Sequence, residues 1–280
     1  MITYNKDHKT VVGFGDEWTR FDQTGLCEKE LDELFEKYFK IFPWQSLSVD
    51  AQGFDMGCGS GRWAKKVALR VGKLHCIDPS LSIEVAKRNL NAYKNCAFHQ
   101  AGVDDQVLPE ESMDFGYSLG VLHHVPDTSQ GIRDCVRMLK IGAPFLLYLY
   151  YALDNRSFAY RAIWMVSDLF RRIISRLPLG MRYVVSQFIA TFVYWPISRF
   201  AALTEYFGMS SDKVCNIPLS FYRHRSFYTM RTDALDRFGT RLEQRFTRKQ
   251  VQAMMESAGL KDICFSEDSP YWCAVGTRGK

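Results

Sequence analysis

Between Gly53 and Tyr150, short and nearly continuous apolar runs alternate with segments whose apolar residues recur every three or four positions. The runs GFDM, KLHCID, NCAFHQAG, MDFGYSLGVL and PFLLYLYY read as five strands. Gly61 to Gly72, Pro79 to Asn91 and Thr128 to Leu139 read as the helices between them, the second opened by Ser80 as capping residue with Glu84 close behind. Strands apolar on both sides, joined through helices, predict a parallel sheet covered on both faces. A leading helix, Glu28 to Ile41, carries Leu31, Leu34, Phe35, Tyr38 and Phe39 at helical spacing and stops before Pro43.

After Tyr151 the alternation breaks, and it resumes with a helix at Thr247 to Ala258 and two closing strands, KDICFSEDS and YWCAVGTR. The interruption is too long for a loop, so it must be structured. Its first part puts Ile163, Val166, Phe170, Ile173, Ile174 and Leu177 on one helical face, with Arg161, Asp168, Arg171, Arg172 and Arg176 largely elsewhere. Pro178 and Gly180 end that helix, Pro196 is expected to interrupt a second, and Gly208 to close a third.

Charge sharpens this division. The 280-residue chain carries a net +5, yet Arg156 to Arg225 holds nine Arg and one Lys against Asp168, Glu205 and Asp212. The basic excess therefore belongs to the insert. Apolar content of 47% and charge of 24% are ordinary for a globular α/β domain with a cap. The longest apolar runs, near Pro144 to Leu153 and Phe188 to Ile197, are about half of the ~20 residues that a span requires. The start, MITYNKDHKT, lacks the apolar centre of a signal peptide. Eight cysteines without a CxxC pair fit free thiols in a cytoplasmic compartment.

The candidate chemistry lies in FDMGCGSGRWA, where Gly57, Gly59 and Gly61 follow a strand. Such a turn brings backbone amides close to a ligand. Arg62 stands where the dinucleotide fingerprint wants a small residue, which argues against hydride transfer. Asp55 ends the first strand, suited to orienting the turn or meeting a cationic ammonium. Asp78 ends the second, where a carboxylate can accept both ribose hydroxyls, and Asp104 follows the third, near an adenine amino group. Three carboxylates on adjacent strand ends, with no phosphate-binding lysine, suit a positively charged adenosine such as S-adenosylmethionine.

On these residues the chain resembles the class I S-adenosylmethionine-dependent methyltransferases. DMGCGSGRWA is similar to the family's glycine motif, CIDPS to its ribose-binding acidic motif, and VDDQVLPEESMDFGYSLGVLHHVPD to its adenine-site and fourth-strand motifs. The resemblance implies an α/β, doubly wound, seven-stranded and mostly parallel sheet with the last strand antiparallel, and a helical cap inserted after strand 5. Domain limits follow: 1–45 closing the cofactor site, 46–151 the cofactor-binding core, 152–246 the basic, aromatic cap, and 247–280 the last helix and two strands. Implied cofactor contacts are Trp18, Asp55, Gly57, Cys58, Gly59, Gly61, Asp78, Pro79, Ser80, Asp104, Asp105 and Leu119. VDD replaces the family's usual Gly-Asp, which leaves Asp104 and Asp105 as alternatives for adenine.

FGDEWTRFD, Phe14 to Asp22, either folds over the cofactor, with Trp18 and Phe21 excluding water and Arg20 near the carboxylate, or anchors the N-terminus on the core. His123, of the pair His123 and His124 after the fourth strand, is the candidate base or methyl-side contact; a capping or packing histidine is the alternative. No histidine or cysteine spacing points to a metal. In Ser220 to Thr247, Tyr222, Arg223, His224, Tyr228 and Arg231 are the acceptor-site candidates. A basic roof rich in Trp164, Phe170, Phe192 and Trp195 suits a small or lipid-like acceptor with an anionic group, or peripheral contact with an anionic membrane. An RNA or protein acceptor is the alternative within the enzyme class, DNA is not expected, and a non-catalytic docking module is the third reading.

Overall fold

The structure, a computed structural model, describes residues 5–280; Met1 to Tyr4, part of the start read above for a leader, lie outside the described residues. The chain divides into two compact units, one of residues 5–23, 31–154 and 242–280, the other of residues 24–30 and 155–241.

In the first unit, α1 (His8–Arg20) and α2 (Glu28–Tyr38), the latter from Leu31 onward, precede β1 (Gln52–Met56), α3 (Ala64–Val67), β2 (Lys73–Ile77), α4 (Ser82–Asn89), β3 (Cys96–His99), β4 (Phe115–Leu119), α5 (Thr128–Met138) and β5 (Pro144–Tyr148). The second unit contains α6 (Phe158–Ile174), α7 (Leu179–Ile189), α8 (Trp195–Tyr206), α9 (Ser211–Val214) and α10 (Phe227–Gly239). α11 (Arg248–Ser257), β6 (Leu260–Phe265) and β7 (Cys273–Arg278) complete the first.

The seven strands form one sheet in the order β3-β2-β1-β4-β5-β7-β6. β1 to β5 run parallel, and β7 lies antiparallel between β5 and β6. The alternation of apolar runs predicts the parallel sheet covered on both faces, and the resemblance its seven doubly wound strands. Chain order reverses between β1 and β4, so a crevice opens at their carboxyl ends, where ligands of such sheets bind. Phe54, Ile77, Leu122, Phe145 and Leu147 are fully buried in the core.

α1 is a helix that the sequence pattern did not mark; it starts where Asp7 accepts a hydrogen bond from the Thr10 amide at 2.8 Å. Leu81, not Ser80, is the N-cap of α4, which starts three residues later than the pattern implied; the Ser80 hydroxyl donates to Asp78 and accepts from the Ser82 amide at 3.2 Å.

In the helical unit, Pro196 does not interrupt a helix. α7 runs into a five-residue π-helix, Ala190–Tyr194, and then into α8, with Pro196 in the first turn of α8. Proline has no N–H to give the preceding turn and its ring crowds the carbonyl four residues back, so a wider turn just before it removes the conflict. Ile174, Ala190, Tyr194, Met230, Ala234 and Phe238 form this unit's own apolar cluster.

Candidate active site

β1 ends in a turn in which Gly57, Gly59 and Gly61 have φ of +82°, +53° and +80°, a left-handed conformation that residues with a Cβ rarely adopt. Space forbids a side chain as well. A Cβ on Gly57 would lie 2.4 Å from Val121, and one on Gly59 3.1 Å from the Trp18 indole. The amides of Gly57 and Cys58 donate to the Ile77 carbonyl at 2.7 and 3.0 Å, which ties the turn to the end of β2.

Asp78 stands directly after β2 and is buried. One of its carboxylate oxygens accepts from the Gly59 amide at 3.0 Å, the other from the Ser80 amide and hydroxyl at 2.9 and 2.7 Å. The oxygen bonded to Gly59 retains a second lone pair, so the residue can hold the turn and still accept from a ligand. Pro79 is partly exposed between them.

Asp55 lies behind the turn, buried, and accepts from the Tyr117 hydroxyl at 3.0 Å. Burial pushes its carboxyl up to about 8; the Tyr117 hydrogen bond opposes this and the nearby Asp78 adds to it. Burial likewise pushes the Cys58 thiol up to about 11. Leu119 closes β4 as a buried residue.

After β3, Asp105 is bound by Lys6 and by the Gly102 amide at 2.8 Å. Asp104 accepts from the Asn5 amide through Oδ2, whereas its shielded Oδ1 has no hydrogen bond, the Lys6 ammonium standing 3.7 Å away. Asp104 thus keeps a shielded oxygen without a hydrogen bond beside the Lys6 ammonium.

α1 runs along this row. Gly15 lies against Ser80 and Leu81, Trp18 faces Gly59, and the Phe14 ring is 4.9 Å from His124. Phe21 is buried; Arg20 pairs with Asp16 at 2.8 Å within the helix. Arg62 lies over the Trp18 and Trp63 rings at 5.4 and 4.5 Å.

Beyond β4, Leu122 to His124 form a single 3-10 turn in which both histidines are buried. The His124 Nδ1 bonds with the Leu242 carbonyl at 2.6 Å. His123 packs on the Tyr150 ring with centroids 3.9 Å apart, and neither of its ring nitrogens has a hydrogen-bond partner. Burial first, then His124 and Arg245, holds its basicity well below the usual imidazole range, so at neutral pH it is uncharged.

Residues 54–147 match the family model of a methyltransferase domain. That segment is a methyltransferase domain, similar to those of the S-adenosylmethionine-dependent class I enzymes. It is 27% identical over 137 residues to the 27-O-demethylrifamycin SV methyltransferase of Amycolatopsis mediterranei, covering 45% of this chain and 47% of that protein. The chain thus spans about half the length of this curated relative. A chain from the complex of the Haloferax volcanii Trm112 methyltransferase activator shares the fold at a TM-score of 0.53 with 13% identity, over 98% of this chain and 99% of that one. A protein from Bordetella parapertussis does so at 0.52 with 14% identity, over 95% and 80%.

The methyltransferase domain's own geometry fits this cofactor: a cradle that a Cβ would fill, a carboxylate at the end of β2, and an acceptor atom on Asp104 left unbonded. The acceptor-site candidates lie in the helical unit, each engaged there. Arg223 makes two bonds to Glu205 at 2.9 and 3.1 Å, and His224 meets the same carboxylate at 2.6 Å. These two bonds draw the Glu205 carboxyl down to about 2. Arg231 donates to Gln187 and, at 3.0 Å, to the Tyr183 hydroxyl. Tyr222 is packed against Tyr194 at 5.1 Å, and Tyr228 against Gly25.

Sequence reasoning passed over the return segment 242–246. The Gln244 amide donates to the His123 carbonyl at 3.0 Å, and its side chain to the Val125 carbonyl at 2.7 Å. Arg245 lies over the Tyr150 ring at 5.1 Å. The only signal was density of polar residues, because the pairing joins positions about 120 residues apart.

Proposed function

We propose that this methyltransferase domain transfers a methyl group to a hydroxyl on a small or lipid-like acceptor that carries an anionic group. The carrying observation is His123: a buried, uncharged imidazole with two unbonded nitrogens at the end of β4, beside the glycine turn in the strand order. A neutral imidazole shielded from water is in the state a general base needs, and such a base contributes about 10²- to 10⁴-fold to rate.

In this reading Asp78 receives the ribose hydroxyls and Asp104 the adenine amino group. The glycine amides and the Asp55 carboxylate meet the amino-acid end, and α1 with Trp18 keeps the site dry. Bound S-adenosylmethionine supplies an electrophilic methyl group on a sulfonium. The chemistry it would supply is passage of that methyl group from sulfur to the acceptor oxygen, and a His123 nitrogen would take up the hydroxyl proton. Alignment does most of the work; well-oriented partners reach effective molarities of about 10⁵ to 10⁸ M.

A small acceptor is consistent with the rifamycin-modifying relative, whose matched region is half of each chain. A lipid-like one is consistent with the exposed apolar side chains of the helical unit. The eight free cysteines suit a reducing, cytoplasmic setting.

Incubation with methyl-labelled S-adenosylmethionine and a fractionated cell extract tests the reading. Label in one organic-soluble product, dependent on His123, is expected. Label only in RNA or protein would overturn it.

A further inference from the structure

In the helical unit, α6 and α7 bury polar side chains beside the apolar cluster to which α6 contributes Ile174. In α6 the buried positions include Asp168, Arg171 and Ser175, its C-cap. Arg171 bonds Asp168 at 2.7 Å and donates to the Thr240 and Arg241 carbonyls at 3.1 and 3.3 Å. In α7 the buried Arg182 donates to the Leu177 and Gly239 carbonyls, and Ser186 is fully buried beside it. Other apolar side chains of these helices face out. Ile163, Val166, Phe170 and Ile173, spaced to share one face of α6, are each 56–59% exposed.

α7 repeats the inversion with Met181, Val184 and Phe188 outward. Of the 24 large apolar side chains that the described residues leave exposed, 18 lie in residues 158–209, far more than scattered surface apolar residues explain. A water-facing bundle would place these groups the other way round.

Charge selects what covers them. Residues 156–209 contain seven Arg and no Lys against two acids, Asp168 and Glu205. Both acids are already bonded, the first to Arg171 and Arg172, the second to Arg223 and His224. Arg161 and Arg172, three helical turns apart, edge the apolar face of α6 on the same side, and both are exposed. Long basic side chains beside an apolar stripe place their stems in hydrocarbon and their heads among phosphates. Among the described residues no helix is long and apolar enough to cross a membrane. At ~1.5 Å per residue, the 17 residues of α6 make about 25 Å lying in the plane.

We propose that the outward apolar faces of α6 and α7, with the continuation through Phe192 and Trp195, seat the protein on the surface of an anionic bilayer. The apolar side chains enter the boundary between headgroups and acyl chains, and Arg161 and Arg176 meet the lipid phosphates. The attachment is peripheral and reversible.

Flotation of the full chain with vesicles of phosphatidylcholine, alone or with phosphatidylglycerol added, tests this. Binding at least tenfold tighter to the phosphatidylglycerol vesicles is expected, weakened by salt but not abolished. The double variant V166D/F170D should lose about a hundredfold in partitioning while its melting transition and its affinity for S-adenosylhomocysteine stay unchanged. R161Q/R176Q should lose the preference for phosphatidylglycerol and keep the weaker binding to phosphatidylcholine. If V166D/F170D unfolds, F170S and the arginine pair carry the same reading.

Two results would overturn the proposal: no flotation on either vesicle, or a concentration-dependent dimer in sedimentation velocity that F170S dissolves while flotation is unaffected. Neither depends on turnover, so failure of methyl transfer and failure of docking are read separately.

Discussion

Tyr117 donates its phenolic hydrogen to Asp55 at 3.0 Å in a place that water does not reach. One hydrogen bond does not offset the cost of a buried carboxylate, so Asp55 holds its proton up to about pH 8. A cationic ligand beside it reverses that balance. Binding of S-adenosylhomocysteine, through its ammonium, is therefore expected to release a proton below pH 8, and its affinity to rise by up to about tenfold per pH unit from pH 6 to 8 and then level off. Calorimetry in buffers of different ionisation enthalpy measures both. An affinity flat across that range would remove Asp55 from the ammonium site.

The same carboxyl sets a trend in stability. Unfolded, it loses its proton near the ordinary 3.8; folded, it keeps it to about 8. Between those values the folded state binds more protons, so stability falls as pH rises, by about 1.4 kcal/mol per unit for this group alone. Asp55→Asn, which keeps an acceptor for Tyr117 and carries no charge, should melt higher than the parent at pH 8 and no higher at pH 4. Thermal scans at the two pH values decide it.

Asp78 binds the turn and Ser80 together, so its loss acts twice. Asp78→Ala leaves the Gly59 amide and the Ser80 hydroxyl without their acceptor, at about 1–3 kcal/mol for a buried group so orphaned. A lower melting temperature and at least a hundredfold weaker binding of S-adenosylhomocysteine are expected together. Unchanged affinity by calorimetry would refute the ribose assignment.

His123 ties activity and stability in opposite directions. Replacing it with Phe removes two unbonded buried nitrogens and keeps the ring on Tyr150, so the melting temperature should rise, by about 1–3 kcal/mol in stability. The turnover number should drop about 10²-fold or more, with cofactor affinity unchanged. A variant as active as the parent would leave His123 a packing residue.

The sheet was legible because strands buried on both faces spell continuous apolar runs, and Asp78 was legible because it ends one of them. α1 was not. HKTVVGFGDEWTR carries two internal glycines and few apolar residues, and its helix holds because Gly15 fits against Leu81 and Trp18 against Gly59, contacts made by residues distant in the chain. Asp104 and Asp105 are equivalent on paper; Lys6 reaches both from near the N-terminus, and the Asn5 and Gly102 amides, bonding one each, tell them apart. In α6 the period identified an apolar face but not its direction. Direction goes with Arg171, whose guanidinium bonds the Thr240 and Arg241 carbonyls just past α10, something no periodicity encodes.

That inward arginine gives the last prediction. Arg171 and Asp168 have side chains only 7% and 8% exposed, and they bond to each other at 2.7 Å. Removing one charge strands the other, which for a buried pair costs about 3–5 kcal/mol, whereas removing both is often near neutral. Arg171→Leu should therefore destabilise the helical unit severely even though Arg172 still reaches Asp168 at 2.8 Å. Adding Asp168→Leu should restore much of the loss, leaving only the Thr240 and Arg241 carbonyls without their donor. A double-mutant cycle by denaturant unfolding isolates the coupling. A coupling energy near zero would mean that Arg171 serves the carbonyls alone and that the inversion of α6 is held by its hydrogen bonds rather than by the ion pair.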